Sequence, residues 1–593
     1  MPADAVKPSS RSAAQEQRVR AVTLHRAGRI HEAIDLYGDL LRRSGGDPEL
    51  LFVCGTALLQ VGRTEEGLTL LRSSLDLAPS QPAVLVNLAL GLRTTGRLEA
   101  ALQYLDQAAS LRPDLAELHC NRGSVLEQLK RPAEALASFE RALVLNDQLA
   151  EAHNGRGNVL RVMGRLEDAL ASYQQAIARD PEGADAHYNC GVVLQELGRL
   201  EEALGSIDRS IVLNAGMADA HNHRGMVLRA LGRIHEALRA YERAMELQPD
   251  MAAAYVNRGV ALQGLQQVDA AIADYDRALV LRPGDPDALL NKSLAKLLVG
   301  EFAAGWRLYE SRLATQGCRG LPGAPWRGEC SIAGKTLLTF AEQGAGDVIQ
   351  FCRYGRLLKG LGAEVVMEVP APLVNLVRTL GSQITVISQG EPPGHVDVHC
   401  PMMSLPLALL AVSADIPCDI PYLRAEAMRL AAVHASLGAK TKPRVGLVWS
   451  GARAHPNDRN RSVPVARLAP LLNVAVEFHA LHTEFRQGDL ECLRHLPQVI
   501  LHPSELVDFS DTAAWIMAMD LLICVDTSVA HLAGALGAPV WILLPFAPDF
   551  RWQLNRSDSP WYPTATLLRQ PAPGDWDSVI DIAATRLRRW AGS

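Results

Sequence analysis

Lysine is scarce in this chain: 8 of 593 residues, within a total of 59 Lys and Arg. Arginine carries almost all the positive charge, which fits a genomic bias and a demand for forked hydrogen bonding equally well. The charge balance is slightly acidic, at −6, so the basic footprint of a nucleic-acid-binding protein is missing. The ten cysteines lie far apart with no CxxC pair, as expected in a reducing compartment. No run approaches the roughly 18 apolar residues that a membrane helix needs, and the stretch around Leu405–Val412 is too short. The N-terminal MPADAVKPSSRSAAQEQ lacks the apolar core of a secretion signal. A soluble, cytoplasmic protein without a membrane span is therefore expected. With 48% hydrophobic and 21% charged residues, a chain of this length should fold into several globular domains.

What the chain has in abundance is periodicity. Glycine recurs every 34 residues at Gly28, Gly62, Gly96, Gly164, Gly198, Gly232 and Gly300, with Lys130 and Gln266 filling the two remaining beats. Five residues after each beat stands a small residue: Ala33, Gly67, Ala101, Ala135, Ala169, Ala203, Ala237, Ala271 and Gly305. Nine residues after it stands a large one, from Tyr37 through Phe139 and Tyr173 to Tyr309. Such a period implies paired antiparallel helices stacked into a solenoid. Around Gly198, residues 185–197 form the first helix and Leu200–Val212 the second. Glycine permits the tight connection between them, and the small residue lets the helices approach. Pro79, Pro113, Pro181, Pro249 and Pro283 close their units, since proline cannot continue a helix.

Asparagine recurs nine residues before the beat, at Asn87, Asn121, Asn189, Asn257 and Asn291. It is a poor helix former, so its recurrence needs a reason. An amide could pair with the backbone of an extended peptide in a groove, or bond to the neighbouring repeat and stabilise the stack. Repeat nine differs from the rest in gathering Phe302, Trp306, Tyr309 and Glu310, which are expected to dock on the next domain.

The second half has no repeat. After a Gly- and Pro-rich linker at 317–333, apolar segments alternate with helical ones: strands at 335–341, 364–369 and 384–387, with helices at 348–361 and 373–380. The alternation resumes with strands at 444–449, 476–481, 521–525 and 539–544, and helices near 465–472, 512–519 and 528–536. Two parallel α/β units with helical crossovers follow from this order. A ligand is expected outside the carboxyl ends of their strands. Gly344-Ala345-Gly346 before a helix exposes backbone N–H groups but lacks the third glycine of a dinucleotide turn and the lysine of a P-loop. Asp347 is then either a helix cap or a base over a bound ligand. Asp526-Thr527-Ser528 with His531 is either a capped helix with a buried histidine or a phosphate site. Arg459, Arg461 and Ser462 in the loop after 449 favour an anionic ligand. Pro545, Phe546, Pro548, Trp552, Trp561 and Tyr562 are expected to divide between a sugar or acceptor wall and the core.

Both halves resemble known families. The repeated half, residues 17–316, looks like a tetratricopeptide repeat (TPR) array of nine units after a flexible tail at 1–16. The segments GAGDVIQFCRY, LVWSG…NDRNRS and VDTSVAHLAGALGAPVWILLPFAPDFRW, with SPWYP after them, resemble glycosyltransferases of the heptosyltransferase-like type. That resemblance implies a GT-B fold of two Rossmann-like domains, at 334–440 (acceptor side) and 441–593 (nucleotide-sugar side). It also implies an inverting, metal-independent enzyme without a cofactor. By the same resemblance Asp347 is the catalytic residue. Gly344, Gly346, Ser450, Gly451, Arg461, Ser462, Asp526, Thr527, Ser528 and His531 bind the donor. The asparagine ladder, as in TPR-bearing enzymes of the O-GlcNAc type, lines the acceptor groove. Likeness to flagellin-modifying TPR glycosyltransferases implies flagellin as acceptor and a CMP-activated nonulosonic acid, such as pseudaminic acid, as donor. Two departures stand out: Leu481-His482-Thr483-Glu484 stands in place of a Leu-Gln-Lys run, so a cationic donor contact is either absent or replaced by Arg486, and Ser528 replaces glycine. The rival expectations are a TPR adaptor with a vestigial enzyme domain and a cell-surface polysaccharide glycosyltransferase.

Overall fold

The computed structural model describes residues 10–44, 46–314, 320–410, 416–417, 419–455, 457–502 and 505–592. Two compact units divide the chain, Met1–Pro249 and Asp250–Ser593. The first seven repeats make up the first unit, while repeats eight and nine belong to the unit that holds the α/β part. The domain boundary read from the sequence near 316 is thus not where the compact units part.

Each repeat is a helical hairpin, such as Ala184–Glu196 followed by Leu200–Leu213. The beat explains its turn directly. Gly198 adopts φ +75°, and the corresponding glycines lie between +73° and +86°, a region closed to most side chains. Lys130 (φ 57°) and Gln266 (φ 59°) take the same left-handed conformation without being glycine. The small residues five positions on are buried to 0% at all seven alanine positions. The large residues nine positions on are buried as well, and in six repeats their fit depends on a second glycine seven residues before the beat. In repeat five, a methyl group at Gly157 would stand 2.6 Å from Cε1 of Tyr173, whose ring is fully buried. Gly55, Gly123, Gly191, Gly225 and Gly259 meet Leu71, Phe139, Ile207, Tyr241 and Tyr275 in the same way.

The first helix, Ser10–Arg26, begins inside the segment expected to be a flexible tail; residues 1–9 lie outside the described residues. The linker expectation also needs correcting. Residues 317–319 are outside the described residues, but β1 (Ala324–Pro325) adds an edge strand to the first sheet by pairing with β5 (Val398–Pro401). That sheet also contains β2 (Thr336–Phe340), β3 (Glu364–Val369) and β4 (Ile384–Ser388), in the order β1-β5-β2-β3-β4, all parallel. The second sheet holds β6 (Arg444–Val448), β7 (Glu477–Ala480), β8 (Val499–Leu501), β9 (Leu521–Val525), β10 (Val540–Leu544) and β11 (Ala565–Arg569). Its order is β11-β10-β9-β6-β7-β8, again all parallel. Counted from β6, this is the doubly wound order 3-2-1-4-5-6, whose direction reverses between β6 and β9. In the first sheet the reversal lies between β2 and β5.

The helix expected over 348–361 is two, Ala345–Phe351 and Tyr354–Gly360. That expected over 373–380 is a short helix, Val374–Arg378, after a single 3₁₀ turn. The 465–472 segment is likewise a 3₁₀ turn, Val465–Leu468, running into Ala469–Leu472. The helix expected over 512–519 runs from Phe509 to Met517, started by Asp508 in a capping box with Asp511. Repeat nine docks as its aromatics indicated. The Trp306 ring meets Phe351 at 5.8 Å and Phe550 at 5.7 Å, edge to face, and Phe302 meets Trp561 at 6.2 Å. Arg312, 3% exposed, donates to Glu342 at 2.5 Å and to Ser404 at 2.8 Å. No helix among the described residues is long and apolar enough to cross a membrane.

Candidate functional site

The three loops singled out in the sequence emerge at the points where strand order reverses. Gly344–Asp347 follows β2, Ser450 and Gly451 follow β6, and Asp526 and Thr527 follow β9. Side chains at such positions crowd one crevice, because neighbouring strands carry their crossovers to opposite faces.

Gly346 is where the two sheets' loops touch. A Cβ there would lie 3.0 Å from Cδ2 of His531 and 3.5 Å from Cα of Ser528. This glycine is required by close approach rather than by its backbone angle. It sets Asp347 against the start of the helix Ser528–Leu536. Thr527 is the N-cap of that helix but makes no capping bond, and its hydroxyl is buried without a partner. A helix end left uncapped beside a buried free hydroxyl suits an anion.

His531 is buried and hydrogen-bonds Tyr562 Oη through Nδ1 at 3.0 Å, its ring stacked on Trp552 at 5.1 Å. Burial, and then the cations Arg551, Arg353 and Arg461, push its pKa well below the ordinary histidine value. The ring is therefore neutral at pH 7.

A cation that sequence reasoning did not assign organises the centre. Arg551, 8% exposed, donates to the Asp347 carboxylate, to Gln350 Oε1 at 2.6 Å and to Asp549 Oδ1 at 2.8 Å. It lies over the Phe550 ring at 4.4 Å. Burial pushes the Asp347 carboxyl above the ordinary aspartate value, and Arg551 opposes that rise. Asp526 is pushed up to about 6, first by burial and then by Asp549. Its carbonyl accepts from Arg461 Nη1 at 3.0 Å.

Arg461 in turn lies across Gly451, where a Cβ would fall 2.5 Å from Nη2, and its Nε is buried without a hydrogen bond. Ser462 accepts from Gly451 N at 3.4 Å and donates to Asp458 Oδ1 at 2.9 Å. Arg486 donates to the same Ser462 hydroxyl at 2.7 Å and to Asp458 at 2.5 Å. It thus places a cation beside Ser462. His482 instead accepts from Trp449 N at 3.0 Å through Nε2, and burial pushes its pKa down to about 3. Arg459 is exposed and takes no part. Among the described residues, no three His, Cys, Asp or Glu side chains converge as a metal site.

Of the apolar group expected to divide between wall and core, Trp552, Trp561 and Tyr562 are core: all three are fully buried. Pro545 and Pro548 are buried too, and Phe546 alone of that group is partly exposed. In the repeats, Asn87 Nδ2 donates to Thr56 Oγ1 at 2.9 Å and Asn189 Nδ2 to Asn154 Oδ1 at 3.1 Å. Each bond links the first helices of adjacent repeats. Asn291 bonds within its own helix to Asp287 O at 2.8 Å. Asn121 and Asn257 stand half-buried at the equivalent positions.

Comparison with known proteins places the repeats. A tetratricopeptide repeat model matches residues 19–82, 86–150 and 223–286, and a second TPR repeat model matches 157–198. Protein FlbA of Caulobacter vibrioides is 27% identical over 328 residues, which cover 50% of this chain and 54% of that protein. The chain thus spans about half the length of this curated relative. Among solved structures, YrrB, a TPR protein with an unusual peptide-binding site, is 28% identical. It covers 32% of this chain and 98% of its own, with a TM-score of 0.28. A thermophilic TPR protein of Thermus thermophilus is 27% identical and covers 31% and 99% of the two chains, with a TM-score of 0.27. The N-terminal half of this chain is therefore built of tetratricopeptide repeats.

Proposed function

We propose that the chain is a protein O-glycosyltransferase, which moves a sugar from a nucleotide-activated donor to Ser or Thr of a protein held by its repeats. The observation that supports this best is the meeting of two strand-reversal loops, with Asp347 bonded to Arg551 and Gly346 packed on Ser528 and His531. One loop offers a carboxylate; the other offers a free helix end and an unpaired hydroxyl, and the loops after β6 and β10 bring the buried Arg461 and Arg551.

In this reading the acceptor hydroxyl oxygen bonds to the anomeric carbon while the bond from that carbon to the phosphate oxygen breaks. Asp347 takes the hydroxyl proton. Its raised pKa brings it nearer the operating pH, which strengthens it as a base. Arg551, Arg461, Thr527 and the helix end receive the charge of the departing phosphate. Arg551 has a second part: it fixes one oxygen of Asp347 and so orients the other. Flagellin as acceptor and a CMP-nonulosonic acid as donor follow from family resemblance and are the first pair to try.

Intact-mass measurement of candidate acceptors incubated with the protein and CMP-, UDP- or GDP-sugars tests the reading. A sugar increment with the native chain, lost in Asp347→Ala while acceptor binding persists, is the expected result. Full transfer by Asp347→Ala would remove the base assignment. Acceptor binding with no increment from any donor would favour an adaptor.

A further inference from the structure

The two departures from the glycine beat are not equivalent. Lys130 and Gln266 both hold a left-handed backbone conformation that an L-residue adopts only against a steric cost. Lys130 is exposed. Gln266, by contrast, extends its side-chain amide to donate to the carbonyl of Phe546. Phe546 begins the loop that carries Asp549, Phe550 and Arg551.

The next repeat approaches the same loop at its own beat. A Cβ at Gly300 would stand 2.9 Å from Nε2 of Gln553, and Gln553 itself has φ 52°. Between these two turns the Phe550 ring packs on Trp306 at 5.7 Å and on Tyr309 at 6.4 Å. The 546–553 loop is therefore held by the turns of repeats eight and nine on one side. On the other it delivers Arg551 to Asp347 and Gln350.

We infer that Gln266 is a positioning residue for the candidate site: its amide fixes the loop that seats Arg551 on Asp347. Glutamine stands where glycine would relax the turn because glycine has no donor to reach Phe546. The inference rests on the proposed transfer only for its activity readout.

Hydrogen exchange on the full chain tests it. Phe546 N donates to Gln570 Oε1 at 3.0 Å, Trp552 N to Asp549 O at 3.1 Å, and Gln553 N to Phe550 O at 3.2 Å, so the loop has protected amides to follow. In Gln266→Gly these amides should exchange about fivefold faster, the factor expected for one lost hydrogen bond. The melting temperature should not fall, since glycine relieves the backbone. Gln266→Glu keeps the length but cannot donate, and should behave alike in the loop. Gln266→Lys restores a donor on a side chain already tolerated at Lys130 and should rescue protection. Lys130→Gly, the control, should leave the 546–553 loop unchanged.

If the native chain transfers sugar, kcat should fall in Gln266→Gly and Gln266→Glu with acceptor KM unchanged, and recover in Gln266→Lys. Native-like exchange at 546–553 in Gln266→Gly would overturn the inference. Absence of transfer by the native chain would count against the enzyme reading alone, leaving exchange to decide this one.

Discussion

Asp347 and Arg551 form an ion pair in a setting where burial works against the charge on both. For the carboxylate the two effects have opposite signs, and burial is the larger. Taking Arg551 away removes the largest influence that opposes burial, so the Asp347 pKa rises further. A base must be ionised to act, and its rate falls as pH drops through its pKa. Arg551→Gln should therefore shift the acidic limb of the pH–rate profile to higher pH, as well as lowering the plateau. An unmoved limb would mean that Arg551 does not set the ionisation of Asp347. Neighbouring Asp526, pushed up to about 6, is poorly suited to a permanently charged role. Its backbone carbonyl, bonded to Arg461, is the part that ties β9 to the loop after β6.

At the level of the hairpin, six of the repeats are stabilised by a ring or branched side chain seated on a glycine of the facing helix. Interiors are close-packed, so this fit has no spare volume. Gly157→Ala would bring a methyl group to 2.6 Å from the Tyr173 ring. Tyr173 is also anchored, its hydroxyl donating to Asn158 Oδ1 at 2.8 Å, so it cannot simply swing away. Overpacking of this kind costs about 1–3 kcal/mol, even though alanine is the better helix former. A chemical melt of the full chain should show that loss; a gain in stability would mean the helices separate without cost. In the α/β part the equivalent devices are Gly346 and Gly451, which admit His531 and Arg461 rather than a packing ring.

On the scale of the whole chain, the compact unit that contains both sheets starts at Asp250, inside the repeat array. The reason is visible in repeat nine. Trp306 and Tyr309 are 3% and 5% exposed, with Trp306 set against Phe351 and Phe550. A fragment of residues 250–593 should therefore melt cooperatively. One of residues 320–593 loses Trp306, Tyr309 and the Arg312 partner of Glu342, and should be insoluble or lack a cooperative transition. Removing a buried tryptophan alone costs about 3–5 kcal/mol. Equal stability of the two fragments by circular dichroism would show that repeats eight and nine are passengers.

The repeats were legible because their signals are local. The turn glycines, the small and large residues at fixed offsets and the closing prolines all act within one hairpin. Most strands of the two sheets were legible for the same reason, as apolar runs between helical segments. Short strands such as β1, β5 and β8 were not, since two to four residues carry no pattern of their own. The loops bearing Asp347, Arg461 and Asp526 could be picked out as polar breaks after strands. Whether each was a cap or a ligand contact was open, because their neighbours lie far away in sequence. Arg551 stood in a quoted motif without a role: its partner Asp347 is 204 residues distant, and no spacing rule links them. Which of Trp552, Trp561 and Tyr562 belong to the core was open for the converse reason, since composition does not distinguish a core aromatic from one lining a crevice.

The sequence alone determined the 34-residue hairpin and the alternation of strand and helix, both consequences of short-range sterics and side-chain period. Tertiary structure decided which glycines face rings, which loops share a crevice and which cation holds Asp347. Those depend on strand order and on packing between segments hundreds of residues apart, which only the folded chain brings within reach.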